Sequence, residues 1–209
     1  MYRPAAFDVA DLPTLHDFIE RHSFGQLISQ VAGRPFASHL PFLIDRTSGP
    51  YGTLIGHTAR ANPQCLAAGD QILLTIFSGP HAYISPTWYE ATNVVPTWNY
   101  VAVHAYGKLT ILDEQAELLD IVRRTTDYYE RTMPQPWTLD LNSTFVERLL
   151  PQIIGFRLEI ASIEGKWKLS QNHPLERQEK VVQALSNRSD HDSRAVGQLM
   201  RDRLASLGE

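Results

Sequence analysis

Residues 100–112 form the stretch of this sequence that most restricts its fold. Apolar side chains recur at every second position from Val101 to Ile111, and the positions between them are mixed. A period of two is typical of a β-strand that turns one face inward and the other towards solvent or a partner. Gly107 interrupts the apolar face and predicts a bulge or the corner of a barrel.

Several other stretches also predict strands, separated by residues that favour turns. The predicted strands cover residues 26–31, 36–44, 52–58, 71–78 and 156–161, with turns at 32–35 and 47–50. The pair Glu164-Gly165 predicts a tight turn into a further strand at 166–169, so that the last two strands form a hairpin.

Helices are predicted on both sides of this β-rich region. Asp11 and Asp113 are predicted N-caps, the sequence from Thr144 fits a capping box, and Pro174 begins a helix. The polar run at 186–193 predicts a flexible joint before a last amphipathic helix. One helix, many strands and then further helices predict an α+β fold with an antiparallel barrel or sheet, and argue against a doubly wound parallel fold.

Charge and cysteine content narrow the functional classes. The net charge is −4 at pH 7, and neutralising phosphates needs a clustered basic surface, so the sequence offers no electrostatic reason to bind DNA. Cys65 is the single cysteine, which makes a disulfide within the chain impossible and fits a reducing cytoplasm. Residues 1–7 lack the apolar core of a signal peptide, and prolines interrupt the uncharged stretch at 71–89, so neither secretion nor a membrane span is expected.

The motif GHTARANP at 56–63 follows a predicted strand and carries a candidate anion site. The planar guanidinium of Arg60 offers a fork that matches a phosphate, and Asn62 with free backbone amides would complete the cradle. The alternative interpretation is an exposed arginine in a turn.

The motif SHLPF at 38–42 places a polar pair, Ser38 and His39, inside an apolar strand. Buried serine and histidine side chains need hydrogen-bond partners, so the pair either faces a ligand or bonds to neighbouring backbone. Pro41 favours an edge strand or a bulge, where a ligand can meet unpaired backbone.

Aromatic residues concentrate at 79–89 and 95–100, around Trp98. Such rings stack on a planar ligand, fill a core, or form a dimer interface, where tyrosine and tryptophan are enriched.

The motif GKWKLSQN at 165–172 would, as a strand, put Lys168 and Ser170 on one face, towards either an anion or solvent. The histidines of the β-rich region lack the short spacings of a zinc site, so no metal is expected.

Taken in order, these motifs resemble the PaiB family of FMN-binding transcriptional regulators. The resemblance also rests on GPHAYISP at 79–86 and PTWNY at 96–100, and it covers about residues 1–185. It implies a six-stranded antiparallel split β-barrel of the FMN-binding type, related to pyridoxine 5′-phosphate oxidases, with flanking helices. That domain is expected at 1–172, with a helical C-terminal extension at 173–209.

In the fold implied by the resemblance, FMN lies at the two-fold interface of a homodimer and contacts residues of both chains. Residues 57–62 would hold the phosphate end, Ser38 and His39 would lie beside the ring or ribityl chain, and Trp98 and residues 168–171 would line the site. The implied cofactor-binding residues are Ser38, His39, His57, Thr58, Ala59, Arg60, Asn62, Trp98, Asn99, Lys168, Ser170 and Gln171.

The function implied by the resemblance is that of a cytoplasmic regulator or flavin-linked sensor. The description of the family as transcriptional regulators implies DNA as a partner, although the sequence shows neither a helix-turn-helix nor a basic recognition helix. Two alternatives stay open: a flavin-dependent oxidoreductase of the pyridoxine-phosphate-oxidase-like group, and a haem-binding split-barrel protein with His39 or His81 as axial ligand. No residue stands out as catalytic.

Overall fold

The computed structural model describes residues 1–90, 92–141 and 143–207, which form helices around an antiparallel sheet. The helices are α1 Leu12–Arg21, α2 Pro63–Leu66, α3 Gln115–Glu130, α4 Thr144–Leu149, α5 Leu175–Ser186 and α6 His191–Ala205. The strands are β1 Asp8–Val9, β2 Phe24–Val31, β3 Arg34–Pro41, β4 Leu43–Asp45, β5 Thr53–Ala59, β6 Leu73–Ile84, β7 Thr97–Leu112 and β8 Ile153–Lys168.

The strands form one sheet in the order β3-β2-β6-β7-β8-β5-β4, with β1 pairing with β8 off this path. The ladders β1–β8, β2–β3, β2–β6, β4–β5 and β5–β8 are antiparallel. The predicted α+β class with an antiparallel split barrel and flanking helices is confirmed. The number of strands differs, because two short strands, β1 of 2 residues and β4 of 3 residues, add to the six expected.

The turn between β2 and β3 lies within the predicted turn at 32–35 but is shorter, because β3 begins at Arg34 instead of Phe36. Val31 pairs with Arg34, so only Ala32 and Gly33 form the loop, and both have positive φ, 50° and 74°. This backbone fits a two-residue type I′ hairpin, whose twist matches that of the flanking strands. β3 lies at one end of the strand path, where its prolines interrupt no ladder on the outer side.

The predicted hairpin at Glu164-Gly165 is wrong, because β8 continues through it to Lys168. The N-terminal segment provides the physical reason. Val9 pairs with Gly165, Asp8 pairs with Lys166, and the Lys166 ammonium donates a hydrogen bond to the carbonyl of Tyr2. The paired segment keeps this part of the strand extended.

Two helix caps differ from the sequence-based prediction. α3 has Glu114 at its N-cap position without a side-chain cap bond, whereas the predicted cap, Asp113, pairs with Arg60 instead. α4 is capped by Ser143, one residue before the predicted Thr144. The expected joint at 186–193 is short, since α5 ends at its first residue and α6 begins at His191.

The chain folds into two compact units. The terminal unit contains Met1–Asp11, Ser78–Val103 and the segment from Glu164 onward, and the central unit contains Leu12–Phe77 and His104–Ile163. The expected boundary between residues 172 and 173 stays a prediction. In the part of the chain that the structure describes, no helix is long and apolar enough to span a membrane.

Each unit has a core of its own. In the central unit, the Phe42 ring contacts Phe77 and Phe156 edge-on, with ring centroids 5.5 and 5.9 Å away. In the terminal unit, buried side chains of α5 and α6 face each other, and Gly197 lets the helices approach so closely that an added Cβ would lie 3.1 Å from the Cβ of Leu185. Buried apolar area of this kind supplies most of the folding free energy.

Gly107 marks a close approach between two strands. It lies inside the continuous strand β7, and a Cβ added there would be 2.1 Å from the carbonyl oxygen of Glu159 in β8. The neighbouring atom belongs to backbone that a sheet ladder holds in place, so it has little room to move.

We therefore expect Gly107→Ala to lower the free energy of unfolding by about 2–3 kcal/mol, as overpacking of a core typically does. Lys108→Ala, at the exposed position next to it, is expected to change stability by less than about 0.5 kcal/mol. Urea unfolding followed by circular dichroism measures both variants. Equal stability of Gly107→Ala and the wild type would contradict the close approach of β7 and β8.

Candidate functional site

Two motifs that are far apart in the sequence meet in the central unit, in a group of polar side chains that we call the hydroxyl cluster: Ser38, Thr58 and Asn62. The Asn62 amide donates hydrogen bonds to Ser38 Oγ at 2.8 Å and to Thr58 Oγ1 at 3.2 Å. Ser38 and Thr58 are both buried. Since each hydroxyl already accepts a hydrogen bond, its own hydrogen is available to donate to an oxygen of a ligand.

Local sequence explains the position of Asn62. It is the N-cap of the short helix α2, where its Oδ1 accepts a hydrogen bond from the backbone amide of Gln64 at 3.0 Å. Asparagine is a preferred N-cap, and Pro63 occupies the first helical position, where its missing N–H costs nothing. The cap holds the oxygen side of the Asn62 amide, so the nitrogen side points to the two hydroxyls.

The guanidinium of Arg60 is already bonded within the central unit. Its two terminal nitrogens donate to the Asp113 carboxylate, Nε donates to the carbonyl of Pro151 at 2.8 Å, and Nη2 donates to that of Ile153 at 2.9 Å. The hydrogen bond from Arg60 lowers the pKa of Asp113 below its ordinary value. This fork therefore binds a carboxylate of its own chain, and Asp113 would have to move before a phosphate could take its place.

Backbone amides of the same turn are also largely engaged. The amide of Arg60 donates to the carbonyl of Gln152 at 2.8 Å, and that of Asn62 to the carbonyl of Ala59 at 2.9 Å. The cradle of free amides that the sequence suggested is not formed by these two groups. Ala59 itself lies exposed at the end of β5.

Adjacent residues on one strand point to opposite faces, which separates the predicted site residues. On β3, Ser38 is buried in the hydroxyl cluster, whereas His39 is exposed and stacks against Phe24, with ring centroids 6.4 Å apart. On β5, Thr58 joins the cluster, whereas His57 turns towards α3 and α4 and lines a cavity there. Burial lowers the pKa of His57, so the imidazole is neutral at pH 7.

In the terminal unit, Lys168 is held by the strand that carries Trp98. Its ammonium donates hydrogen bonds to the hydroxyl of Thr97 and to the carbonyl of Trp98. Burial, and then repulsion from Lys166, lower the pKa of Lys168. Both donated hydrogen bonds tie the end of β8 to the start of β7.

Three other predicted residues of this unit bond to one another or to their own loop. Asn99 is completely buried, and its amide donates to Ser170 Oγ at 2.9 Å. Ser170 has a positive φ of 65°, and Gln171 closes the loop around it by accepting from the amide of Leu169 at 2.6 Å and donating to the carbonyl of Trp167. These side chains shape the loop that follows β8.

The indole of Trp98 is available to a ligand or a partner, since 53% of the residue is exposed. It lies beside His81 and Tyr83, each with a ring centroid 5.9 Å away. With Trp88 and the start of α6, these rings line a cleft of about 440 Å³ within the terminal unit. An exposed planar indole can stack on an aromatic ring.

Cys65 offers no reactive thiolate. It is buried in α2, and burial raises the pKa of its thiol to about 11, so the thiol stays protonated at pH 7. Within the described ranges, no three or more histidine, cysteine, aspartate or glutamate side chains gather as metal ligands would.

The sequence did not predict which side chains bond to or contact the expected site residues. Asp113 lies 53 positions from Arg60, and Phe24 contacts His39 across a strand pair. The sequence around Asp113 predicted a helix cap, and nothing in it predicted that this carboxylate would pair with an arginine. No local pattern connects residues so far apart, because only the folded sheet brings them together.

Comparisons with known proteins agree with the motifs. Residues 1–162 match the model of a family described as "Putative FMN-binding domain". The chain is 37% identical over 209 residues to the Protease synthase and sporulation protein PAI 2 of Bacillus subtilis (strain 168), and the match covers 98% of each chain.

Solved structures share the fold at low sequence identity. The flavocytochrome Anf3 from Azotobacter vinelandii matches with a TM-score of 0.59 and 15% identity, over 80% of this chain and 72% of that one. The FAD and heme binding protein from Mycobacterium smegmatis matches with a TM-score of 0.58 and 12% identity, over 82% and 78%. These two likenesses show the fold, while the family match and the Bacillus relative show more: the chain belongs to the PaiB family of FMN-binding proteins.

Proposed function

We propose that the chain is a PaiB-like transcriptional regulator or flavin-linked sensor that binds FMN as a cytoplasmic homodimer. The observation that carries the proposal is the hydroxyl cluster, where the SHLPF and GHTARANP motifs meet around Asn62. The name of the Bacillus relative refers to protease synthesis and sporulation, which supports the regulatory part. The family match supports FMN as the cofactor.

The donors of the hydroxyl cluster fit the phosphate end of FMN. Ser38 and Thr58 can each donate to a phosphate oxygen while they keep accepting from Asn62. Hydrogen bonds to a charged oxygen are among the stronger ones in proteins. When bound, FMN supplies redox chemistry, and the protein supplies binding and orientation.

Arg60 is proposed to position the site. Its hydrogen bonds to Asp113, Pro151 and Ile153 fix the end of β5 against the start of α3 and of β8. The same strand end leads directly into Asn62, so the pair with Asp113 keeps the hydroxyl cluster in register. Ala59 contributes through its carbonyl, which accepts a hydrogen bond from the backbone N–H of Asn62.

The ring end of the flavin needs an aromatic surface, and Trp98 offers one. We propose that Trp98 stacks on the flavin of the partner protomer in the dimer. Lys168 holds the strand of Trp98, while Asn99, Ser170 and Gln171 hold the adjoining loop. His39, exposed on β3 and stacked on Phe24, is proposed to lie beside the ribityl chain.

The exposed apolar side chains support a dimer. In the central unit, Phe24 and Ile72 are exposed large apolar residues, and in the terminal unit Tyr83 and Trp98 are. Three of these four residues, Phe24, Tyr83 and Trp98, are aromatic, and aromatic residues are enriched at protein interfaces. A two-fold dimer buries the same surface on both chains.

One prediction of this proposal concerns the hydroxyl cluster. Thr58→Val keeps the shape of the side chain and removes its hydroxyl, so the FMN dissociation constant is expected to rise about tenfold or more, as for a lost hydrogen bond to a charged group. Riboflavin, which lacks the phosphate, is expected to lose less. Titrations of both ligands by flavin fluorescence quenching measure the difference.

Matched variants separate binding from positioning. Asn62→Asp retains the acceptor that caps α2, loses the amide donors and adds a negative charge, so it is expected to weaken FMN more than riboflavin. Arg60→Ala is expected to weaken FMN more than riboflavin, because the hydroxyl cluster loses its register, and also to lower the melting temperature, because the hydrogen bonds to Asp113, Pro151 and Ile153 are lost. Thr110→Ala, at an exposed position on β7, serves as the control. A loss confined to FMN in Arg60→Ala, with none in Thr58→Val, would move the phosphate to Arg60.

Another prediction of this proposal concerns the oligomeric state. Sedimentation at micromolar concentration is expected to give a mass twice that of the 23.6 kDa chain, with and without FMN. The expectation follows from exposed aromatic surface that association would remove from water. A monomer under both conditions would contradict a cofactor site shared between two protomers.

A further inference from the structure

The cleft beside Trp98 in the terminal unit combines aromatic rings with charged side chains. Its aromatic side is formed by Tyr83 of β6, Trp98 of β7 and Trp88, which lies in the 3₁₀ turn after β6. The opposite side is formed by residues 190–193 at the start of α6 and by Arg188. Its volume of about 440 Å³ lies in the range that is typical of small-molecule sites.

The aromatic rings of the cleft are accessible to a ligand. Tyr83 is 47% exposed, Trp98 is 53% exposed, and Trp88 is partly exposed. The centroids of the Tyr83 and Trp98 rings are 5.9 Å apart, and the ring planes are inclined by 71°. Two rings inclined in this way form a corner, in which a ligand can contact both of them. Because the face of an aromatic ring is the negative part of its quadrupole, such a corner attracts a cation.

The two described carboxylates in the lining of the cleft differ in their partners. Oδ2 of Asp190 accepts a hydrogen bond from Nε of Arg188 at 3.3 Å, and its Oδ1 caps α6 by accepting from the amide of Ser193 at 2.8 Å. Asp192 lies 3.4 Å from Nδ1 of His81, and this contact is an ion pair only when the imidazole is protonated. With a neutral imidazole, the Asp192 carboxylate can pair with a cationic ligand.

The same contacts disfavour an anionic ligand. A helix N-terminus attracts anions, but the N-terminus of α6 is already capped by the carboxylate of Asp190. Among the described lining residues, with histidines counted as neutral, Arg188 is the one formal cation, and it already donates to that carboxylate. An anion in the cleft would also be repelled by Asp192. Charge complementarity therefore selects a cation.

We propose that this cleft binds a small organic cation, whose ammonium group lies against the rings of Tyr83, Trp88 and Trp98 and beside the carboxylate of Asp192. Aromatic rings of this kind provide apolar surface and cation–π attraction together, which is how proteins recognise quaternary ammonium groups. The carboxylate adds an opposite charge on the side of α6. A regulator or sensor with such a site can respond to an organic ammonium compound.

Binding of the cation does not depend on FMN, because the terminal unit of a single chain supplies the described lining of the cleft. Trp98 is also proposed to stack on the flavin of the partner protomer. An indole has two faces, so a flavin on one face leaves the other face for the cation. We therefore expect the cation to bind with and without FMN, and the FMN titrations decide the proposed function separately.

The probes for the test are choline, a quaternary ammonium alcohol, and 3,3-dimethyl-1-butanol, in which carbon replaces the charged nitrogen and the shape is kept. Calorimetric titration of the full chain free of FMN is expected to show saturable choline binding. Choline is expected to bind at least about tenfold more tightly than the neutral alcohol, because only the charged probe gains cation–π and carboxylate contacts. Saturation with FMN is expected to leave the choline dissociation constant within about threefold, since uncoupled sites bind independently.

Paired variants separate the contribution of the rings from that of the charge. Tyr83→Leu removes a ring and is expected to weaken choline about two- to tenfold, whereas Tyr83→Phe keeps the ring and is expected to keep the affinity. Asp192→Asn is expected to weaken choline about two- to fivefold, the range for a solvent-exposed ion pair. Asp202→Asn removes the same charge from an exposed position of α6 outside the cleft and serves as the control. Circular dichroism confirms that each variant is folded.

Four results would overturn the proposal. Equal affinities for choline and the neutral alcohol would show that the charge plays no part in binding. Choline binding that is unchanged in both Tyr83→Leu and Asp192→Asn would place the probe elsewhere. Loss of choline binding on saturation with FMN would place the flavin itself in the cleft. An absence of choline binding in the wild type would also contradict the site, and a shift from dimer to monomer in Tyr83→Leu would then identify these rings as an interface between two copies of the chain.

Discussion

The opposite orientation of adjacent side chains on a β-strand is the constraint on which the organisation of the central unit depends. On β3, Ser38 therefore points into the hydroxyl cluster, and His39 points to the exposed face of the same strand. At residues 57 and 58 the same constraint sends the histidine to the α3–α4 cavity and the threonine to the cluster. One short motif therefore contributes to two distinct places, and a shift of the strand by a single residue would exchange them.

Hydrogen-bond satisfaction then decides which motif residues face outward. Asn62, Arg60 and Asn99 use their donors within the chain and hold loops in defined positions, and Oδ1 of the buried Asn99 has no hydrogen-bond partner among the described residues. The groups proposed to contact FMN are fewer: the hydroxyl hydrogens of Ser38 and Thr58 and the exposed His39 in one unit, and the exposed indole of Trp98 in the other. Many polar residues of the motifs therefore stabilise loops of the chain itself.

The sequence predicts well those features that depend on neighbouring residues. The period of two along β7, a turn beginning at Ala32 and the helix beginning near Pro174 all arise from local preferences, and the structure contains each of them. The errors come from distant partners. Pairing with Val9 extends β8 past Gly165, and bonding to Arg60 removes Asp113 from the cap of α3, and neither partner is visible in a local pattern. The resemblance to the PaiB family added the fold and the cofactor, and the comparisons confirm the family.

The central claim is that FMN binds with its phosphate on the hydroxyl cluster. The most direct measurement is a crystal structure of the complex with FMN. The account predicts phosphate oxygens within hydrogen-bond distance of Ser38 Oγ and Thr58 Oγ1, with the bond between Arg60 and Asp113 intact. A phosphate that replaces Asp113 on the Arg60 guanidinium, or one that lies away from both hydroxyls, would contradict it.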